Sequence, residues 1–299
     1  MVIIPRTNVV YSMSPDNKPT AHCTSGETVK FETLDCFGGQ ITSDEQHLGG
    51  INWERINPAT GPLFVDSAEP GDTLKVEIQK IELGSQAAVV EAPGEGITGA
   101  GLAGEATKII PVHDGQVCFN DRLTFDISPM IGVIGTAPES SSILTGTPGA
   151  HGGNMDCTRI GEGTTLYLPV NVKGALLAMG DMHAVMGDGE VCVCGAEIGG
   201  AITVRVSVIK GRRMPLPFLV TKDSFMTIYS ADTLDSAAEG ATLAMRSFLT
   251  GELGMEIHTA GMLMSLCSDL RICQAVDPQK TCRMEVPITV AERYGHCFE

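Results

Sequence analysis

Alternation with a period of two is the strongest constraint this chain carries. Residues 73–81 place Leu74, Val76 and Ile78 on one face and Lys75, Glu77 and Gln79 on the other. Residues 201–208 repeat the pattern, with Ile202, Val204, Val206 and Val208 set against Thr203, Arg205 and Ser207. A shorter run, 30–34, alternates through Phe31 and Thr33 and leads into Asp35. Successive side chains of a strand point to opposite faces, so such runs bury one face and wet the other. Strands of that kind belong to antiparallel sheets, because parallel ones are apolar on both faces.

Helical spacing is confined to the last quarter. Residues 232–253 set Leu234, Ala237, Ala238, Ala241, Met245, Phe248 and Leu249 on one stripe, with Asp232 or Thr233 as cap and Gly254 as stop. Residues 259–272 read as a second helix through Met262, Leu263, Leu266 and Leu270, and 283–290 as a closing strand. The expected fold is mostly β, a β-rich α+β protein with antiparallel, sandwich-like sheets and two late helices. Its 299 residues suit a single unit, or two intimately packed β subdomains of about 1–150 and 151–299. Gly199-Gly200 lies between segments 190–198 and 201–209. A Gly-Gly pair there predicts a hairpin with Glu190 and Glu197 on its first arm. The longest loop, 92–104 (APGEGITGAGLAG), reads as a surface loop or a lid.

Charge excludes two partner classes. Twenty basic against 36 acidic residues give a net −16, which repels nucleic acid and anionic lipid. The opening segment MVIIPRTNVVYSMSPDNKPT has no apolar core of a signal peptide, and no run reaches the roughly 18 apolar residues of a membrane helix. A cytoplasmic location is expected, with the ten cysteines as free thiols. Cys192 and Cys194 are spaced to share one face of a strand.

The chemistry concentrates in 151–197, HGGNMDCTRIGEGTTLYLPVNVKGALLAMGDMHAVMGDGEVCVCGAE. Asp181 and His183 form a D-x-H step whose side chains meet on one face of an extended segment. Asp188 and Glu190 repeat the spacing, and Asp156 follows Gly152-Gly153-Asn154. Carboxylates with an imidazole suit a hard-to-borderline divalent cation, and flanking glycines let the backbone approach it. His151 and Asn154 fit substrate binding or support of the ligands. The remaining histidines lack such company. No G-x-S-x-G elbow occurs, and Ser140-Ser141-Ser142 reads as loop. Cys157 stands as an alternative nucleophile whose plainer reading is a buried thiol.

These motifs resemble the acetamidase/formamidase family. Asn57 to Pro62 (NPATGP), 131–138 (IGVIGTAP), HGGNMDC, LYLPV, GDMHAVMGDGE and Val276-Asp277-Pro278 with Thr281 and Arg283 run in the family's order from about Thr28 onward. The resemblance implies a mostly-β, usually oligomeric amidohydrolase, a homodimer or homotetramer, that releases ammonia from short aliphatic amides. It also implies zinc, sometimes with calcium. By position it assigns Asp156, Asp181, His183 and Glu190 to the site, and adds Asp35, which is similar to an acidic position beside a fixed glutamine, here Gln40. Glu197 follows as a further acid.

The expected division has Asp35, Asp156, Asp181, His183 and Glu197 around zinc, with a second ion such as calcium. Glu190, with Asp188, handles protons as a metal-activated water attacks the amide. Two other classes stay open: a metal-independent amidase using Cys157, and a non-catalytic acidic β protein that binds calcium. Trp53 is the only tryptophan. No aromatic cleft is evident, so the glycine-walled site predicts a compact substrate.

Overall fold

The computed structural model describes residues 1–211 and 214–298. Two large sheets face each other across one core. The nine-stranded sheet runs, edge to edge, Val2–Ile4, Glu27–Thr33, Gly200–Ile209, Thr73–Leu83, Thr165–Pro169, Phe218–Val220, Ser224–Ala231, Lys280–Pro287 and Asp269–Gln274. All its pairings are antiparallel except the first. The eleven-stranded sheet centres on Leu177–His183, with Met130–Gly135 on one side and both Ala59–Val65 and Glu197–Ile198 on the other. Each sheet takes strands from both sides of residue 150.

The alternating runs fold as their pattern requires. Leu74, Val76, Ile78, Ile202, Val204 and Val206 are buried, and face Leu63, Ile131, Leu177 and Met179 of the other sheet in one cluster. The fold is therefore mostly β, as its period-2 pattern implies.

Among the described residues the α-helices lie in the last quarter of the chain, interleaved with its final strands. Helix α1 (Leu234–Gly251) is capped by Thr233, whose hydroxyl accepts the Ser236 N–H, and buries Ala237, Ala241, Met245, Phe248 and Leu249. Helix α2 (Ile257–Cys267) ends five residues earlier than its apolar spacing predicts, and Leu270 and Ile272 lie instead on the edge strand Asp269–Gln274. That segment gains a full ladder with Lys280–Pro287, and the pairing outweighs local helical spacing. The closing strand ends at Pro287, and Ile288–Arg293 turns into a third helix, α3, which periodicity did not reveal. Among the described residues, no helix is long and apolar enough to cross a membrane.

The predicted hairpin at Gly199-Gly200 does not form. Glu197–Ile198 pairs with Leu177–His183 in one sheet, whereas Gly200–Ile209 lies between Glu27–Thr33 and Thr73–Leu83 in the other. The two glycines carry the chain from sheet to sheet. A Cβ on Gly200 would stand in the carbonyl of Glu82, so the crossing demands glycine there.

α1 packs on the outer face of the nine-stranded sheet through aromatic rings. Phe248 lies 4.7 Å from Phe218 and 5.5 Å from Phe225, centroid to centroid. Truncating such a side chain removes its burial and leaves a cavity. Phe248→Ala is expected to cost about 3–5 kcal/mol in urea denaturation. A loss below about 1 kcal/mol would mean the aromatic layer collapses around the gap.

Candidate active site

The site forms where the central ladder breaks. Gly180 pairs with Ala59, and Met182 pairs with Ile198, so Asp181 falls where the strand changes partner. On the opposite edge Val133 faces Gly180 and Ile131 faces Met182, which leaves Gly132 and Asp181 out of the register. Asp181 adopts φ 54°, and its side chain turns into the gap. A Cβ on Gly132 would stand among the Asp156 and Asp181 carboxylates, so the room for them depends on that glycine.

Asp156 and Glu190 also sit in the left-handed region, at φ 41° and 49°. For a non-glycine residue this conformation costs roughly 1–2 kcal/mol. Three acids held this way in one place mark a site whose surroundings over-determine them.

Around the His183 ring, Nε2 lies 2.7 Å from Glu197 Oε1, 3.6 Å from Asp181 Oδ1 and 3.8 Å from Glu190 Oε1. The shortest contact lacks the alignment of an N–H···O bond: both ring nitrogens are buried without a hydrogen-bond partner. The same is true of both Asp156 oxygens, Asp181 Oδ1 and Glu197 Oε2. Buried polar atoms are normally paired, and unpaired ones that converge call for an ion. Two sets of donors lie within 4.8 Å of one another: Asp156, His183 and Glu190, and Cys36, Asp181 and Glu197.

Electrostatics make the same demand. Asp156, Asp181, Glu190 and Glu197 surround one imidazole, and Asp277 stands beside Asp156. Burial pushes Asp156 and Glu190 well above the carboxylate range, with Asp181 adding to the first and Asp156 to the second. Burial lifts Glu197 to about 8 and Asp277 to about 8. Burial alone would lower His183, but Glu197 and Asp181 outweigh it and hold the ring well above its usual range. Without a cation, this cluster stores protons.

Glu197 and Asp277 bind protons more tightly folded than unfolded, so their contribution to stability is full at low pH. It is lost as pH climbs from the ordinary values of 4.5 and 3.8 through about 8. His183, also raised, has the same sign. Chelator-treated protein is expected to melt at progressively lower temperature between pH 5 and pH 8, roughly the window set by these shifts. A melting temperature that rises across that window in a scanning-fluorimetry series would contradict this reading.

The other expected site residues divide. Asn154, on the short strand Gly152–Asn154, lines the cavity and donates Nδ2–H to Asp277 Oδ2 at 2.8 Å. His151 is buried behind it with Nε2 unpartnered, and burial lowers its ring to about 4, so it is neutral. Asp188 turns away. Gly189 and Glu190 both have positive φ, so the segment is a turn, not a strand, and the two carboxylates diverge. Asp188 accepts two hydrogen bonds from Arg283, at 2.9 and 2.7 Å, and one from Thr158 at 2.7 Å. Although burial opposes it, these partners hold Asp188 below its usual range.

Asp35 joins neither donor set. Its Oδ1 accepts the Gly39 N–H at 3.0 Å, and its neighbour Cys36 enters the cluster instead. Cys157 is fully buried and absent from the cavity wall. Cys194 lines the cavity, but 192–194 is a turn and not the expected strand.

Two residues escaped sequence reasoning. Cys36 stands beside Asp35 in TLDC, and Asp277 stands in the Val276-Asp277-Pro278 motif. Both motifs were visible, and only long-range pairing brings them to the site.

These groups form the floor of a cavity of about 830 Å³, to which Asp181, Glu190, Glu197, Asn154 and Asp277 contribute. Asp156 and His183 lie beneath that floor, outside the lining. A polar floor with buried acids of raised proton affinity suits a proton-transfer hydrolysis.

Comparison with known proteins bears on which one. The model of the acetamidase/formamidase family matches residues 7–146 and 140–293. An acetamidase from Bacillus halodurans is 48% identical, covers 98% of this chain and 100% of its own, and superposes with a TM-score of 0.97. A protein described as a predicted acetamidase/formamidase, from Thermoanaerobacter tengcongensis, is 43% identical over 99% of both chains, also with a TM-score of 0.97. The acetamidase of Mycolicibacterium smegmatis is 28% identical over 66% of this chain and 65% of its own length. The chain spans between 60% and 65% of the length of the curated relatives it matches.

Proposed function

The chain belongs to the acetamidase/formamidase family, and from that premise we propose that it hydrolyses the linear C–N bond of small amides to carboxylate and ammonia. Short aliphatic amides such as acetamide and formamide are the simplest substrates of this reading. The observation that carries it is a buried cluster of Asp156, Asp181, His183 and Glu197, with unpartnered atoms on each, at and beneath the floor of a cavity that Glu190 also lines.

The donor set fits a divalent cation. Its side chains are buried and belong to two donor groups that each converge within 4.8 Å; both Asp156 oxygens, Asp181 Oδ1, both His183 nitrogens and Glu197 Oε2 lack hydrogen-bond partners, and the surplus of carboxylates over imidazole calls for positive charge. Asp156, Asp181, His183 and Glu197 would hold the ion. The mixed nitrogen and oxygen donors favour zinc, and the sulfur of the Cys36 set suits zinc better than calcium. Such an ion, when bound, supplies Lewis-acid polarisation and lowers the pKa of water toward roughly 7.

The remaining steps fall to side chains. Glu190 lies on the cavity side of the cluster, the position from which a carboxylate reaches both water and a bound amide. It takes a proton from water as the oxygen bonds to the carbonyl carbon. It returns that proton to nitrogen as the C–N bond breaks and ammonia leaves. Asn154 lines the same space and, by donating Nδ2–H to Asp277, fixes that carboxylate at the floor. Asp188, fixed to Arg283, holds the turn that presents Glu190.

Ammonia release from acetamide and formamide, measured before and after dialysis against chelator and again with Zn²⁺ or Ca²⁺ restored, tests the proposal. Activity lost and recovered is the expected result. Activity indifferent to chelation would remove the cation from the mechanism, and an absence of ammonia would sink the amidase reading.

A further inference from the structure

The cavity is far larger than acetamide needs. Resting on the amidase reading above, we infer that the preferred substrate is a primary amide with an uncharged hydrophobic acyl group, such as a medium-chain or arylalkyl amide. The compact, glycine-walled site expected from the sequence is not what lines this cavity. Above the carboxylate floor the walls include the apolar or aromatic Tyr11, Phe37, Leu48, Trp53, Ile56 and Leu144, alongside polar residues such as Asn57 and Thr147.

Cavities of about 300–1,000 Å³ lined in this way enclose ligands of drug size, and this one measures about 830 Å³. An amide the size of acetamide would occupy the carboxylate floor and leave the apolar wall against water.

Trp53 and Leu144 make the point most directly. They are 50% and 69% exposed, so neither serves the protein core. Trp53 is also held in place. It opens a single 3-10 turn, Trp53–Arg55, in which the Asn52 side chain accepts the Glu54 N–H at 3.0 Å, and Asn52 donates its own N–H to Gln40 Oε1 at 2.8 Å. A fixed aromatic at a cavity wall binds apolar groups at little entropic cost. Glu54 and Glu95 line the same cavity and disfavour an anionic chain, while Lys280, whose ammonium donates to the Asp277 carbonyl, disfavours a cationic one, which leaves a neutral group as the complement.

The test is kcat/KM for ammonia release across formamide, acetamide, butyramide, hexanamide and phenylacetamide, with the metal-loaded protein. Each methylene buried against the wall is expected to raise kcat/KM about fourfold. Trp53→Ala is expected to shrink the ratio of phenylacetamide to acetamide kcat/KM roughly tenfold. Leu144→Ser, at a more exposed position, provides a second variant should the first fail to fold, and is expected to move the ratio the same way. A series that is flat or falls beyond acetamide would overturn the inference and leave the amidase reading intact. So would a ratio that both folded variants leave unmoved. No ammonia from any member of the series would end both.

Discussion

Glu190→Gln is expected to cut ammonia release by about 10²–10⁴-fold, the usual yield of a positioned acid or base. The amide keeps the size of the side chain and removes only its ability to carry a proton. Glu190 faces the cavity, while Asp156 and His183 lie beneath it. The cation therefore stays when Glu190 is neutralised, and elemental analysis of the purified variant should return the wild-type metal content. The same experiment separates the two roles that geometry allows. Glu190 lies within 4.8 Å of Asp156 and His183 through its donor atoms. If the variant loses both metal and turnover, Glu190 is a ligand and the proton carrier must be sought elsewhere, with Asp277 first in line.

Asp181→Asn is expected to weaken cation binding by at least about a hundredfold, more than the loss of an outer partner causes, and to remove turnover with it. Asparagine is the informative choice because it tolerates the left-handed backbone that Asp181 adopts at φ 54°. Alanine there would confound lost charge with strain. Asp181 bridges the donor sets, 3.6 Å from His183 Nε2 and grouped with Cys36 and Glu197. Calorimetric titration with Zn²⁺ measures the effect. Wild-type affinity in the variant would remove Asp181 from the ligand set.

How much of this was legible beforehand follows from the range over which each signal acts. The strands of 73–81 and 201–208 are written in nearest-neighbour alternation, and α1 in its capped apolar stripe, so local physics sufficed. The end of α2 was not legible, because Leu270 and Ile272 satisfy helical spacing and strand pairing equally, and only the partner Lys280–Pro287 decides between them. The Gly199-Gly200 signal was real, but a pair of glycines marks a sharp change of direction without saying whether the next strand returns or crosses.

The site shows the same limit. Asp156, Asp181, His183, Glu190 and Glu197 lie within one stretch of sequence and their grouping could be anticipated. That Asp188 serves Arg283, that Cys36 stands where Asp35 was expected, and that Asp277 completes the cluster depend on contacts between distant segments. The apolar cavity wall was hidden for that reason too: Tyr11, Trp53 and Leu144 carry no shared motif.

The clasp between Asp188 and Arg283 carries a consequence for the order of assembly. The turn bearing Glu190 is fastened at Gly189 to Cys273 and Ala275, and through Asp188 to the strand Lys280–Pro287. Arg283 lies 95 residues further along the chain than Asp188, so in vectorial synthesis it emerges after the central strands. A nascent chain can pair its central strands and bring Asp181 to His183 well before the segment carrying Asp277 and Arg283 has emerged. Until that segment docks, Glu190 has no fixed address. Ammonia release during synthesis is expected to lag behind β-sheet formation until the strand Lys280–Pro287 has emerged and docked.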